Sequence, residues 1–212
     1  MKNAVILCSS FIDLDVSAEL SEDTILICAD GGWEYAAEMG LTPDIIIGDC
    51  DSASKPYPED IPHRIYPSEK DDTDAALCVD YAIEQGCTDI LLLGATGGRL
   101  DHEYANYNLL LYGLKKGVRI RLADVCNEIW MENKPFHIRR SEKKYLSFFP
   151  FCGTVDKLTI KGLKYTAENL RLDAGSTLTC GNEFDKEDEA YISFDKGVLL
   201  VMRCNDRRKN ND

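Results

Sequence analysis

The sequence predicts an α/β fold in two parts: an N-terminal Rossmann-like, mostly parallel sheet with helices, then a C-terminal antiparallel β-sandwich. In the first part, short β-branched runs alternate with helical patterns, which is typical of strands joined by crossover helices. Glycines and acidic residues follow several of these runs, and such residues are typical of the carboxyl ends of strands, where an open α/β sheet binds its ligands. Further along, long helical patterns stop and short β-rich runs recur between turns. We therefore predict two domains, residues 1–125 and 126–212.

The composition limits the classes of partner. The chain has 212 residues and a net charge of −13, from 24 Lys and Arg against 37 Asp and Glu. No segment concentrates basic residues, so we expect no nucleic-acid partner. A phosphate-bearing ligand would need a local device such as Mg²⁺, a glycine-rich loop or a few placed cations.

Two further features bear on location. The nine cysteines are scattered without a Cys-x-x-Cys pair, which is typical of reduced thiols and not of a disulfide framework or a structural zinc site. The first apolar run, residues 4–8, is too short for a membrane span or a signal-peptide core. We therefore expect a cytoplasmic protein without a membrane partner.

The first predicted strand covers residues 4–8, and the second, residues 24–28, is followed by a glycine turn and a helix. The turn reads Ala29-Asp30-Gly31-Gly32. Two glycines between a strand and a helix let backbone N–H groups approach a phosphate or an adenine edge. Such pairs are also common in simple tight turns, so both interpretations stay open at this point.

The third predicted strand ends in the motif that organises the rest of the chain. Residues 45–52 read Ile-Ile-Ile-Gly-Asp-Cys-Asp-Ser, and three β-branched residues in a row are typical of a buried parallel strand. If the backbone stays extended after Gly48, the carboxylates of Asp49 and Asp51 leave on the same side. Such acids repel each other unless a cation lies between them, and Mg²⁺ is the usual choice beside phosphates. The alternative is a solvated turn.

A fourth short strand, near residues 64–66, precedes a helix that opens with Lys70-Asp71-Asp72-Thr73-Asp74. Acids in a first helical turn are expected from the helix dipole alone, but three in four positions exceed what capping needs. Asp71 and Asp74 are three residues apart and would share a face of the helix. Because they follow a strand, we expect them at the same sheet edge as the two earlier acids.

The fifth predicted strand, residues 90–93, runs into Gly94-Ala95-Thr96-Gly97-Gly98-Arg99-Leu100-Asp101-His102. The glycines let this loop approach an anion, Arg99 offers a bidentate fork, and the next helix points its N-terminus at the loop. Taken alone, Asp101 is explained as an acid at the start of a helix, and His102 as a structural or solvent-facing histidine. Three successive junctions that each deliver a carboxylate favour a phosphoryl-transfer or nucleotide site instead. Four residues of this helix share one stripe: Tyr104, Tyr107, Leu111 and Leu114.

After residue 117 the pattern changes to short β-rich runs. They cover residues 120–122, 129–131, 136–138, 145–149, 158–160, 191–194 and 198–202. Runs of this length between turn-forming residues predict a small antiparallel sandwich or barrel.

The ordered motifs resemble the thiamine pyrophosphokinase family over nearly the whole chain. The matching segments are Ala29-Asp30-Gly31-Gly32, Gly48-Asp49-Cys50-Asp51-Ser52, Lys70-Asp71-Asp72-Thr73-Asp74 and residues 94–106. In the second domain, Gly162-Leu163-Lys164-Tyr165 is similar to the family's Gly-Leu-x-aromatic segment, whose ring lies beside thiamine. Residues 175–182 are similar to the family's Gly-x-x-x-x-Ser-Asn run.

The resemblance implies a homodimeric, Mg²⁺-dependent enzyme that transfers the diphosphate of ATP to thiamine and releases AMP, with the thiamine site at the subunit interface. The implied catalytic residues are Asp49, Asp51, Asp71, Asp74 and Asp101, of which Asp49, Asp51 and Asp71 hold the metal. Asp74 would orient or deprotonate the thiamine hydroxyl, and Asp101 would support metal or substrate. The implied nucleotide-binding residues are Asp30, Gly31, Gly32, Lys70, Thr73, Gly97, Gly98, Arg99, His102 and Asn106. The implied thiamine-binding residues are Tyr165, Thr179, Gly181 and Asn182.

Two alternatives remain open: a related diphosphokinase acting on another alcohol such as a pterin, and a non-catalytic nucleotide or thiamine sensor. The second-domain aromatic and asparagine argue for thiamine, and a sensor would not need the complete acidic set. Gly181 stands where the family usually has serine. Either the missing hydroxyl weakens thiamine binding by about 0.5–1.5 kcal/mol, or glycine meets a positive φ that serine tolerates poorly.

Overall fold

The computed structural model describes residues 2–51, 53–69 and 71–206 of the chain. The chain divides into two compact units, residues 1–125 and 126–212. Lys70, which the sequence assigns to phosphate binding, lies outside the described residues. Within the described ranges, no helix is both long enough and apolar enough to cross a membrane.

Strands and helices alternate in the first unit. The strands are β1 (Lys2–Leu7), β2 (Thr24–Ala29), β3 (Ile45–Gly48), β4 (His63–Ile65), β5 (Cys87–Leu93) and β6 (Arg119–Ala123). The helices are α1 (Gly32–Glu38), α2 (Asp74–Glu84) and α3 (Leu100–Lys116), with a short 3₁₀ helix at Val16–Glu19. The strand order is β6-β5-β1-β2-β3-β4, and every pairing in this series is parallel.

Apolar side chains on neighbouring strands bury the middle of this sheet. Ile6 pairs with Leu92 on one side and with Ile27 on the other, and all three are fully buried. Helices can cover both faces only if the strands carry continuous apolar runs, which these do. From β1 the chain continues to β2, β3 and β4 on one side of β1 in the sheet, and it then returns to form β5 on the other side of β1. The strand order therefore reverses between β1 and β5, which is where open α/β sheets place their ligands.

The buried face of α3 lies about one residue away from the stripe of Tyr104, Tyr107, Leu111 and Leu114. Asn106, Leu110 and Gly113 are buried, whereas Tyr104 is 63% exposed. The helix packs on β6 through Gly113, which faces the side chain of Ile120. A small residue at the point of closest approach draws the helix in, so the largest apolar side chains do not mark the buried face.

The second unit consists of antiparallel strands. They are β7 (Asn127–Glu132), β8 (Phe136–Arg139), β9 (Tyr145–Pro150), β10 (Val155–Lys161), β11 (Ala167–Leu172), β12 (Asn182–Glu183), β13 (Glu189–Ser193) and β14 (Leu199–Cys204). They form the series β12-β9-β14-β7 and β11-β10-β13-β8. Phe148 and Val201 from the first series share a core with Ile160 and Ile192 from the second. The predicted class, a mostly parallel α/β part followed by an antiparallel β part, is confirmed. The run at residues 120–122, which was predicted among the antiparallel strands, is instead β6 and pairs parallel with β5.

Two strands of this unit carry no clear sequence signal. β11 is largely exposed and contains Glu168, Asn169 and Arg171, so it lacks apolar alternation. β12 has only two residues and pairs with β9 at Leu146 and Tyr145. β11 becomes a strand by pairing with β10, which directly precedes it in the chain, whereas β12 pairs with β9, which is more than 30 residues away.

Candidate active site

An open cleft of about 480 Å³ lies in the first unit, at the carboxyl ends of the parallel strands. It is lined by Cys8, Ser9, Ser10, Ala29, Asp49, Asp51, Ser68, Asp72, Thr73, Asp74, Ala75, Gly94, Ala95, Gly98, Arg99, His102, Glu103 and Asn106. The lining thus joins segments that follow β1, β3 and β5 with the first turns of α2 and α3. The cleft therefore occupies the point where the strand order reverses.

Three carboxylates gather beside this cleft. Asp30, Asp49 and Asp51 each place one carboxylate oxygen within 4.8 Å of the corresponding oxygens of the other two. Asp30 follows β2 and Asp49 follows β3, so adjacent parallel strands deliver them to one edge. The sequence assigned Asp30 to the nucleotide and Asp71 to the metal. The structure instead groups Asp30 with the other two acids, and Asp71 belongs neither to this group nor to the described lining of the cleft.

Asp30 is almost fully buried, at 1% exposure, and hydrogen bonds hold its carboxylate in one orientation. Its Oδ1 accepts a hydrogen bond from the Tyr57 hydroxyl and another, 3.0 Å long, from the backbone N–H of Cys50. Burial, followed by the hydrogen bond to Asp30, raises the pKa of Tyr57 far above its usual value, so the hydroxyl remains a donor. A Cβ at Gly48 would lie 2.7 Å from both Asp30 Cβ and the Tyr57 hydroxyl, so this contact requires glycine.

Tyr57 was missed by the sequence analysis. It is a single aromatic residue in a proline-rich connection, and no motif or spacing distinguishes it from a loop tyrosine. Its contact with Asp30 spans 27 residues of sequence. Only the tertiary structure brings the two side chains together.

The N-terminus of α2 supplies the next part of the lining. Thr73 caps the helix, because its Oγ1 accepts a hydrogen bond of 3.2 Å from Ala76 N–H. Asp74 is the first helical residue and is half-buried at the cleft. Burial, followed by the charge of Asp74, raises the pKa of the Cys8 thiol to about 12. Cys8 is therefore a neutral thiol at this site and not a nucleophile.

The loop between β5 and α3 presents Gly98 and Arg99 to the cleft, and the first turn of α3 presents His102. Arg99 donates to both carboxylate oxygens of Asp101, at 3.1 and 2.6 Å, and Asp101 also accepts from His102 N–H at 2.9 Å. The hydrogen bonds from Arg99 are the main reason that the pKa of Asp101 is lowered to about 2. Asp101 is thus the partner of Arg99, and the described lining of the cleft does not include it.

Two further residues stabilise this loop. Glu103, which the sequence analysis did not single out, accepts from Gly97 N–H at 3.1 Å and from the Tyr107 hydroxyl at 2.7 Å. Asn106 is buried and donates to the carbonyl of Ala95 at 2.9 Å. Gly97 is therefore tied to the loop through its N–H and does not itself line the described cleft.

Gly31 and Gly32 lie at the start of α1. Gly31 is the N-terminal cap and Gly32 the first helical residue. Neither is part of the described cleft lining. Their position agrees better with the tight-turn interpretation than with direct contact to a nucleotide.

A second pocket, of about 400 Å³, lies within the second unit. It is lined by Ile160, Tyr165, Thr166, Ala167, Glu168, Leu170, Leu178, Thr179, Cys180 and Asn182. Three of the four residues predicted to bind thiamine thus lie together. The fourth, Gly181, is absent from the described lining and has a φ of +74°, with no atom within 4 Å of where a Cβ would be. This favours the backbone explanation for glycine at position 181.

Two polar side chains of this pocket, those of Thr179 and Asn182, are already bonded to backbone groups. The Thr179 hydroxyl donates to the carbonyl of Phe148. Asn182 Oδ1 accepts from Tyr165 N–H at 3.0 Å, and Nδ2 donates to the Tyr165 carbonyl at 2.7 Å. The pocket therefore offers a ligand mainly apolar surface and the Tyr165 ring.

The fold and these sites define a class: an α/β protein with a carboxylate-rich cleft at the edge of a parallel sheet and a separate β unit that carries a mainly apolar pocket. Residues 16–122 match the family model described as thiamin pyrophosphokinase, catalytic domain. Residues 134–199 match the model described as thiamin pyrophosphokinase, vitamin B1 binding domain. The chain belongs to the thiamin pyrophosphokinase family, as its motifs predicted.

Individual relatives agree with this assignment. The chain is 35% identical to thiamine pyrophosphokinase from Bacillus subtilis (strain 168) over 199 residues, which cover 91% of this chain and 92% of the relative. A crystal structure of the Bacillus subtilis enzyme superposes with a TM-score of 0.88 and 33% identity, covering 97% of this chain and 100% of the other. Thiamin pyrophosphokinase from Geobacillus thermodenitrificans gives a TM-score of 0.85 and 29% identity, covering 98% and 99% of the two chains.

Proposed function

We propose that this protein transfers the diphosphate of ATP to the hydroxyl of thiamine, producing thiamine diphosphate and AMP. The observation that carries the proposal is the cleft at the strand-order reversal, which Asp49, Asp51 and Asp74 line together with Arg99 and His102. Acids, a cation and a helix N-terminus in one open cleft suit a metal-bound polyphosphate. The names of its relatives supply thiamine as the acceptor.

The phosphates of ATP would lie against the loop between β5 and α3. Gly98 permits a close approach of the backbone, and Arg99 lies beside it on the cleft. Asp101 holds the guanidinium by two hydrogen bonds, so Arg99 is orientated before any ligand arrives. This arrangement reduces the ordering cost of binding an anionic ligand.

Mg²⁺ would be held by Asp30, Asp49 and Asp51. Two oxygens on opposite sides of an octahedral Mg²⁺ are separated by about 4.2 Å, which is twice the metal–oxygen distance. The three carboxylate oxygens already lie within 4.8 Å of one another. All three are hard oxygen ligands, so the donor set fits this ion. A bound Mg²⁺ would neutralise phosphate charge and help to orient the diphosphate for transfer.

Asp74 would accept the proton of the thiamine hydroxyl or orient that hydroxyl for attack. It lies half-buried at the helix start, across the same cleft from the phosphate loop. The bond that forms joins the thiamine oxygen to the β-phosphorus of ATP. The bond that breaks joins the β-phosphorus to the oxygen that AMP retains.

Thiamine would bind in the second-unit pocket, with its flat rings against Tyr165 and Leu178. These side chains are 62% and 70% exposed, so both are available to a ligand. Aromatic stacking and apolar burial suit a planar heterocycle. Glu168 on the pocket lining would favour the positive charge of the thiazolium ring.

We further propose a cytoplasmic homodimer in which one subunit supplies the acidic cleft and the other supplies the thiamine pocket. Cys8, Cys28 and Cys78 are buried thiols whose pKa values burial raises, which suits a reducing compartment. Mixing Asp74→Asn chains with Tyr165→Ala chains tests the shared site. Activity recovered in the mixed dimer would support it. No recovery despite confirmed subunit exchange would place each complete site within one chain.

The reaction itself is tested by product analysis. Incubation with thiamine, ATP and Mg²⁺ should give AMP and thiamine diphosphate in equal amounts, and omitting thiamine should abolish AMP formation. Replacing thiamine with a hydroxymethyl pterin tests the alternative acceptor. ADP in place of AMP would mean a monophosphoryl transfer, and binding without turnover would support a sensor.

A further inference from the structure

Asn182 is a buried asparagine whose side chain bonds to the backbone of the residue at the mouth of the second-unit pocket. It is 4% exposed and begins β12. Its Oδ1 accepts from Tyr165 N–H at 3.0 Å and from Glu183 N–H at 2.9 Å. Its Nδ2 donates to the Tyr165 carbonyl at 2.7 Å. The carboxamide therefore engages both backbone groups of Tyr165.

This pairing reproduces what a neighbouring β-strand would do. A carboxamide offers one acceptor and one donor in a plane, as a peptide group does, so it can fix the backbone of the residue that it faces. The adjoining residues are paired in the same way: Lys164 N–H donates to the Glu183 carbonyl at 2.8 Å, and Leu163 bridges to Phe184. Asn182 thus extends this short ladder by one residue.

Tyr165 needs such support because its ring is largely exposed. Tyr165 is 62% exposed and lines the pocket, and the ammonium of Lys164 lies 5.5 Å from the ring centroid. An exposed ring with little packing keeps its place only if its backbone is held. Without that support, the ring would pay an ordering cost each time a ligand bound.

We propose that Asn182 is a positioning residue that acts through Tyr165: it presents the tyrosine ring to a planar heteroaromatic ligand and makes no essential contact with that ligand. The inference rests on the proposed function, in which thiamine is the ligand of this pocket. It also changes the role that the motif resemblance implied, namely direct thiamine binding by Asn182. The two roles make different predictions for combined substitutions.

The test is a double-mutant cycle on thiamine binding, measured by calorimetry without ATP. Asn182→Ala should weaken binding by about three- to ten-fold, the range of one aromatic stacking contact, and Tyr165→Ala should weaken it at least as much. In the Tyr165→Ala background, Asn182→Ala should have no further effect beyond about two-fold. Multiplying effects would overturn the proposal, because Asn182 would then act independently of the ring. If Tyr165→Ala leaves binding unchanged, the pocket assignment in the proposed function fails instead.

Asn205→Ala is a matched control. Asn205 lies in the same unit and makes the same kind of clamp, accepting from Lys144 N–H at 2.7 Å and donating to the Glu142 carbonyl at 3.3 Å. Its replacement should lower the melting temperature and leave thiamine binding unchanged. If Asn182→Ala does not fold, Asn182→Asp enters the cycle, since it keeps the acceptor for Tyr165 N–H and loses the donor to the carbonyl. The same non-additivity is then expected, and additivity again overturns the proposal.

Discussion

The carboxylates of Asp30, Asp49 and Asp51 should repel one another when no cation is bound. The nearest carboxylate oxygens of the three residues lie at most 4.8 Å apart. At that distance, Coulomb's law gives a repulsion of about 0.9 kcal/mol per pair in water and about 3.5 kcal/mol at an effective dielectric constant of 20. Asp51 is exposed, so the lower figure applies. Asp51→Asn relieves two pairs, and we expect a gain of about 1–2 kcal/mol, or about 2–8 °C in melting temperature.

Mg²⁺ should reverse this order of stability. A ligand that binds only the folded state at about 100 times its Kd adds about 2.7 kcal/mol to stability. Wild type should gain this amount, whereas Asp51→Asn has lost a ligand and should gain far less. Thermal unfolding in EDTA, and then in rising Mg²⁺, measures both effects without relying on activity.

The control is Asp23→Asn, because Asp23 is an exposed acid just before β2, at the opposite end of that strand from Asp30. It should change neither the melting temperature nor the response to Mg²⁺. If Asp51→Asn lowers the melting temperature and keeps the full Mg²⁺ response, the three acids are not a cation site.

Asp30→Asn should behave differently from Asp51→Asn. It also relieves repulsion, but it weakens the hydrogen bonds that Asp30 accepts from Tyr57 and Cys50, so the protein should gain little stability.

Three further outcomes follow from the same contacts. Tyr57→Phe removes the hydroxyl that orients Asp30 and should weaken Mn²⁺ binding, followed by electron paramagnetic resonance, by about 10–100-fold; unchanged affinity would exclude this role. Gly181→Ser should lower the free energy of unfolding by about 1–2 kcal/mol, because φ is +74°, with no gain in the KM for thiamine; a lower KM at unchanged stability would restore the missing-hydroxyl explanation. NMR titration of Asp101 should give a midpoint near 2, and Arg99→Gln should move it toward 3.8. Since the folded-state pKa is depressed, this pair stabilises the protein above about pH 4 and its contribution is lost as the pH falls toward 2.

The sequence by itself determined the fold class, the family and the approximate location of the acids. Strand periodicity and glycine-rich junctions are local signals, so β3 and the Asp49–Asp51 pair could be predicted from adjacent residues. Parallel strands end at a common edge, and that rule correctly placed Asp49, Asp51 and Asp74 on one cleft, although not Asp71 or Asp101, which are absent from its described lining. The motif set, read in order, identified the family that the comparisons then showed.

The tertiary structure decided which side chains meet and what their polar groups do. Asp30 joins Asp49 and Asp51 while Asp71 does not, and Tyr57 holds Asp30 from 27 residues away. Asn182 is engaged with Tyr165 from 17 residues away. Such pairs depend on distances between segments far apart in the chain, where no periodic signal operates. Hydrogen bonds and close packing are satisfied only at ångström range, so these assignments required the folded coordinates.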